Sequence, residues 1–193
     1  MKKPLVIAAL GSALGLCLVL DAALGADIYT LDPTHTSATF AFKHLGLSTF
    51  HGKFTKASGT VTLDTAQKKG SADITFDATG VVTGVAKLDD HLRSKDFLDV
   101  EKFPTATFKS QNIKFSGDSP SELSGDLTLH GVTKPVTLKI TSFACKEHPM
   151  LKVPACGADA TATIKRSDFG LGAYVPNVGD ELPLIIEIEA TKK

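Results

Sequence analysis

The side chains of this 193-residue chain with the most chemistry to offer are two cysteines, Cys145 and Cys156, and six histidines, at positions 35, 44, 51, 91, 130 and 148. Cys145 and Cys156 flank the run KEHPMLKVPA, whose two prolines mark a loop. In an oxidising compartment an even pair of this kind is expected to be bridged, and closing so short a ring stabilises the fold by about 3 kcal/mol on the chain-entropy account. The rival chemistry makes Cys145, His148 and Cys156 metal ligands, which supplies three donors without an evident fourth. The histidines are scattered without metal spacing, although a fold could still gather three of them. There is no G-x-S-x-G elbow and no H-E-x-x-H pair, and two oxidised cysteines leave no thiolate nucleophile. The chain is therefore read as a non-enzyme without a cofactor. Its 21 basic and 21 acidic side chains balance, so nothing in it attracts nucleic acid.

Residues 1–25 read as a cleavable export signal: Lys2 and Lys3, an apolar run over 5–20, then the small residues Ala23, Gly25 and Ala26, with the cut placed between Gly25 and Ala26. Pro4, Asp21 and the small residues interrupt what would otherwise be an uncleaved membrane anchor. Cys17 lies inside this segment without a convincing lipidation site before it, and leaves with it. The expected product is one exported domain over 26–193 with no stable membrane span.

Along that domain, apolar and polar positions alternate in short segments: 38–44, 49–53, 59–64, 72–78, 105–110, 112–116, 122–130, 136–143, 158–165 and 184–190. A period of two with one apolar face is the mark of an antiparallel sheet, since parallel strands are apolar on both faces. Ten runs exceed the eight of a small closed barrel, so two or three of them are expected to be halves of one bent strand. The fold class expected is all-β: an eight-stranded antiparallel barrel. Its inward residues mix Phe, Leu, Ile and Ala, and an eight-stranded barrel is just wide enough either to be plugged by its own side chains or to hold one slender ligand. Composition leaves both open.

One stretch, about 83–100, breaks the alternation. Val85, Leu88 and Leu92 fall at helical spacing, and Ser94 can cap a further turn carrying Asp96. A short helical segment between strands lies across one barrel end, where ligands enter such folds.

The runs DDHLRSKDFLDVEKFPTATF (89–108), GDLTLHGVTKPVTL (125–138), HLG (44–46) and IKRSDFGLG (164–172) together resemble the YceI-like family over nearly the whole exported domain. The DFG triplet alone carries no kinase meaning, because the other kinase motifs are missing. The resemblance implies a lipocalin-like barrel in the bacterial periplasm with a long apolar tunnel for polyisoprenoid chains, such as quinone tails or related fatty amphiphiles. It favours the hollow barrel over the filled one. The loop between Cys145 and Cys156 departs from a number of family members and leaves ligand length open.

On that basis the tunnel lining is expected from Phe40, Phe42, Phe54, Ile74, Phe76, Phe108, Leu127, Leu129, Leu138, Ile164 and Ile186. The rim and headgroup candidates are His44, His91, Arg93, Asp96, Arg166 and Asp168. Arg93 with Asp96 or Asp168 would equally serve to latch the helical segment onto the barrel, and His44 and His130 read as strand-end and turn residues. Two other functions compete: a haem- or metal-binding barrel, which an absorption spectrum or elemental analysis would separate, and a structural interaction domain with a solid core. Exposed edges at an imperfectly closed barrel would permit a homodimer.

Overall fold

The computed structural model describes residues 25–193; the expected export signal, with Cys17, lies outside the described residues apart from Gly25. Alternation along the chain becomes eleven strands: β1 (Asp27–Leu31), β2 (Ser37–His44), β3 (Ser48–Phe54), β4 (Ala57–Asp64), β5 (Lys69–Asp77), β6 (Val81–Val82), β7 (Thr105–Ser116), β8 (Ser119–Leu129), β9 (Val132–Glu147), β10 (Pro154–Lys165) and β11 (Glu181–Lys192). All pairings are antiparallel, and the sheet closes because β11 pairs with β2 along Leu184–Glu187 and with β1 around Ala190.

Three interruptions reconcile eleven strands with an eight-stave barrel. β1 and β2 lie end to end along β11, β3 and β4 follow one another across Thr55 and Lys56, and β5 continues into β6 through a 3-10 turn at Ala78–Gly80. Asp77 caps that turn by accepting the Thr79 amide. Of these three, only the β3–β4 bend joins two of the runs expected from the sequence, 49–53 and 59–64; β1 and β6 fall outside those runs.

Runs 105–110 and 112–116 form the single strand β7. Opposite Gly125 the strand carries an extra residue, between the Lys109–Asp126 and Asn112–Ser124 pairs. A bulge of this kind shifts the inward phase, from Ala106 and Phe108 on one side to Ile113 on the other, so the apolar pattern reads as two segments. Gly125 must be glycine there, since a Cβ would stand 2.4 Å from the Lys109 carbonyl oxygen. A second shift on β9, beside Asp159 and Ala160, likewise takes the inward face from Ile140 to Phe143. The β8–β9 hairpin turns through His130 and Gly131, both at positive φ, the conformation of a two-residue primed turn.

The break in periodicity contains α1 (Ala86–Arg93). Asp89 reaches back to accept both the amide and the hydroxyl of Thr83, and the Ser94 hydroxyl donates to the His91 carbonyl, so both ends are tied down. The apolar stripe differs from expectation. Leu92 is buried and Leu88 half-buried, but Val85 is exposed, because it precedes the first turn with extended backbone. Ser94 does cap the turn that follows, accepting the Asp96 amide at 3.3 Å.

Buried residues form clusters at both barrel ends, with two smaller ones between them around Ile74 and around Phe108, Leu138 and Ile186. Around α1, Phe42, Val81, Leu92, Leu98, Phe169 and Leu171 form the largest buried cluster, with Phe169 and Val81 almost fully enclosed. At the other end Tyr29, Leu63 and Ala190 are buried with Ile113, Phe115, Phe143 and Cys156 against them. No helix among the described residues is long and apolar enough to cross a membrane.

Candidate functional site

The inward faces do not meet in the middle of the barrel. They surround a cavity of about 750 Å³ that reaches Tyr29, Phe143 and Cys156 at one end and His44, His91 and Tyr174 at the other. Concave ligand sites enclose about 300–1,000 Å³, so this volume is that of a binding site rather than a packing defect. Phe40, Phe42, Phe54, Ile74, Phe76, Phe108, Leu127, Leu129, Leu138, Ile164 and Ile186 all line it. Their positions follow from register: Phe40 faces Gly52 and Phe42 faces Phe50 across β2 and β3, and Ile74 faces Phe108 across β5 and β7. Gly52 leaves room for the Phe40 ring, whose edge lies where a Cβ would go.

Small residues keep the lumen open. Ala158 and Ala160 on β10 line the cavity opposite larger neighbours, Ile188 and Ile186 on β11 and Phe143 and Ile140 on β9. The wall is apolar along most of its length. Most of its polar side chains lie at one end, where His44, His91, Arg166, Tyr174 and Asn177 contribute to the lining; Tyr29, Ser71 and Thr107 are spread along the rest of the wall.

That end is the mouth. Of the lining residues, His44, Leu45, Tyr174 and Asn177 are exposed, whereas the lining at the opposite end is buried or half-buried. The mouth is framed by α1, the β2–β3 turn and the loop between Gly170 and Asp180. The last two are stitched together: the Leu45 amide donates to the Asn177 carbonyl at 2.7 Å, the Gly179 amide to the Lys43 carbonyl at 2.7 Å, and His44 bridges Val178. On the helix side His91, Phe97 and Tyr174 form an aromatic group, with the His91 and Phe97 ring centres 4.9 Å apart and those of Phe97 and Tyr174 5.8 Å apart.

The six rim candidates part company here. His44, His91 and Arg166 line the cavity; Arg93, Asp96 and Asp168 do not. Arg93 instead donates to the carbonyls of Thr79 and Val81, each at 3.1 Å, and to the Asp90 carboxylate at 2.9 Å. It latches α1 to the break between β5 and β6, but neither Asp96 nor Asp168 is its partner. Asp96 lies 3.2 Å from the His91 ring, and Asp168 is exposed, because the strand-end turn at Arg166–Phe169 turns its arginine and phenylalanine inward.

Arg166 is only 4 % exposed and, among the described residues, forms no ion pair with a carboxylate. Its Nε and Nη2 donate to the carbonyls of Gly179 and Val178 at 2.8 Å, and Nη1 donates to the carbonyl of Leu171. Burial lowers its pKa from the ordinary value, with Asp180 acting in the opposite sense. Three main-chain acceptors, one on each guanidinium nitrogen, make Arg166 the staple of the mouth loop. His130 helps from outside, its Nδ1 donating to the Phe169 carbonyl at 3.2 Å.

Sequence reasoning missed Tyr174, Asn177, Phe97 and Leu171. None sits in an alternating run. For Leu171, Tyr174 and Asn177 the available signal was the stretch 169–179, eleven residues without a charge between Asp168 and Asp180.

Cys145 and Cys156 are bonded, but not across a loop. They face one another as a cross-strand pair on β9 and β10, so the loop proper is shorter than the run between them, and Cys156 lines the closed end of the cavity. Away from the cavity, Asp32, His35 and Glu189 bring ligand atoms within 4.8 Å of one another at the β1–β2 break. Hydrogen bonds there already account for the arrangement. The His35 ring, the Thr34 hydroxyl and the Thr34 amide hold the Asp32 carboxyl down at about 2, and the Asp32 carboxylate raises the His35 pKa.

Comparison with known proteins places this geometry. A family model described as YceI-like domain matches residues 29–190. A UPF0312 protein of Pseudomonas aeruginosa is 39% identical over 198 residues, covering 100% of both chains. Among solved structures, Burkholderia cenocepacia BcnA superposes with a TM-score of 0.71 at 27% identity, covering 83% of this chain and 99% of that one. A polyisoprenoid binding domain from Saccharophagus degradans shares the fold at 17% identity, with a TM-score of 0.64 over 86% of this chain and 98% of that one.

Proposed function

This chain belongs to the YceI-like family, and we propose that it binds and carries one long-chain isoprenoid amphiphile in the periplasm, tail in the tunnel and headgroup at the mouth. Isoprenoid quinones and related prenyl or fatty amphiphiles have the required form. The observation that carries this reading is the asymmetry of the cavity: about 750 Å³ with an apolar wall, a buried far end, and His44, His91, Tyr174 and Asn177 together at the opening. A wholly apolar ligand would make no use of those polar groups, and a polar one would meet an apolar wall along most of its length.

The energetics favour a carrier over a sink. An isoprene unit has five carbons, so at about 0.8 kcal/mol per buried carbon group each unit gains roughly 4 kcal/mol against water. Against a bilayer it gains almost nothing, because the tail is already in an apolar medium. Selectivity then rests on fit to the lumen and on hydrogen bonds at the mouth, and loading and unloading against membranes stay reversible. No bond is made or broken in this role.

Titration of delipidated protein with isoprenoid quinones of increasing tail length tests it. Affinity is expected to climb with each unit until the lumen is filled and then level off. Affinity independent of tail length, or no binding at any length, would contradict the reading.

A further inference from the structure

The mouth carries more exposed apolar surface than a simple opening requires. At the tip of the β2–β3 turn, Leu45 is 55 % and Leu47 85 % exposed, and across the opening Tyr174 and Val175 are exposed as well. Both segments are free of charge: residues 45–50 read LGLSTF and residues 169–179 read FGLGAYVPNVG. The hydrogen bonds between Leu45 and Asn177 and between Gly179 and Lys43 join them into one lip. Exposed apolar side chains gathered on two joined segments without a charged residue mark an interaction surface rather than scattered surface residues.

We propose that this lip docks onto a lipid bilayer, with Leu47 and Val175 entering the interface and Tyr174 at headgroup depth. The inference rests on the lipid-carrier reading. A prenyl chain that crossed water between bilayer and tunnel would lose its apolar environment at every unit, so the opening must meet the membrane directly. The chemistry of the lip fits that surface. Leucine and valine enter the acyl boundary, a tyrosine ring offers an apolar body with a polar tip, and the nearest charge, the exposed Lys43 ammonium held by Thr49, can stay at headgroup level. With its inserting residues uncharged, the lip binds net-neutral lipid, and added salt weakens that binding little.

The chain contains no tryptophan, so one introduced indole reports on one place. Leu47→Trp puts it on the lip, and Met150→Trp puts it on the β9–β10 turn at the opposite end, where Met150 is 81 % exposed. With phosphatidylcholine vesicles, the emission of Leu47→Trp is expected to shift to the blue and to be quenched by lipids brominated on their acyl chains, while that of Met150→Trp stays unchanged. Leu47→Asp in the otherwise unaltered protein is expected to weaken vesicle binding tenfold or more, with its cargo still detected by mass spectrometry. Unshifted Leu47→Trp emission, or an equal shift at both ends, overturns the docking. A blue shift on raising protein concentration without vesicles also overturns it, by showing that a second copy covers the lip. The cargo reading is judged separately: extracted lipid without insertion refutes only the lip, and insertion without any bound prenyl chain refutes only the cargo.

Discussion

Replacing Ala160 by leucine separates a hollow barrel from a filled one. Ala160 stands near the middle of β10 on the cavity wall, among Phe108, Leu138 and Ile186. In a close-packed core, an enlargement of this kind costs about 1–3 kcal/mol, because neighbours must leave their rotamers. On the edge of an open lumen the added carbons enter empty space, and the delipidated variant unfolds at the same or a higher denaturant concentration. Cargo must then vacate what the leucine occupies. Three carbon groups at about 0.8 kcal/mol each amount to about 2.4 kcal/mol, or about fifty-fold weaker binding of a tail long enough to fill the tunnel. A tail too short to reach Ala160 should bind as before. The assays are denaturant unfolding of the delipidated protein and titration with a long and a short isoprenoid quinone. Stability lowered by the overpacking cost, with long-tail binding unaltered, would instead mean that protein atoms fill the space beside Ala160.

Other perturbations reach the parts that shape the site. Arg166→Met leaves the carbonyls of Gly179, Leu171 and Val178 without their donor and is expected to lower stability by about 3 kcal/mol or more, with hydrogen exchange quickening first across residues 170–180. Arg166→Lys should not restore it, because one ammonium cannot reproduce the fork. Removing the disulfide with Cys145→Ala and Cys156→Ala together should cost about 3 kcal/mol in denaturant unfolding, the entropy of closing a ring with a sequence separation of 11. At the β1–β2 break, NMR titration should find the His35 midpoint above 6.5 and that of Asp32 near 2, with Asp32→Asn returning His35 towards its ordinary value. The signs set the pH window. The depressed Asp32 contributes stability above its unfolded value of 3.8, lost as pH falls towards 2, whereas the raised His35 contributes below 6.5, lost as pH rises through its folded value.

Alternation made the barrel legible because a half-buried strand repeats every two residues whatever its neighbours do. It made the cavity wall legible for the same reason: with Phe40 and Phe42 facing inward, register carries Phe54 with them, and Ile74 and Phe108 face one another in the same way across β5 and β7. The pattern fails where the backbone departs from the pleat. The bulge opposite Gly125 divided β7 into two runs, and β1 and β6 are too short for a period to show. The mouth was the least legible part. Its residues come from a turn and an irregular loop, so their positions follow from hydrogen bonds to Arg166 and Lys43 rather than from any repeat. Arg93 shows the same limit in another way: a charged residue near a helix suggests a carboxylate partner, but main-chain carbonyls freed at the β5–β6 break took two of its three donors.

The most direct test is native mass spectrometry of the protein purified without detergent from its own host, with the released ligand fragmented for identification. A single bound prenyl amphiphile per chain, lost in the Ala160→Leu variant or replaced there by a shorter one, is the predicted result. A spectrum of the bare chain alone, still bare after incubation with prenyl lipids, would contradict the account.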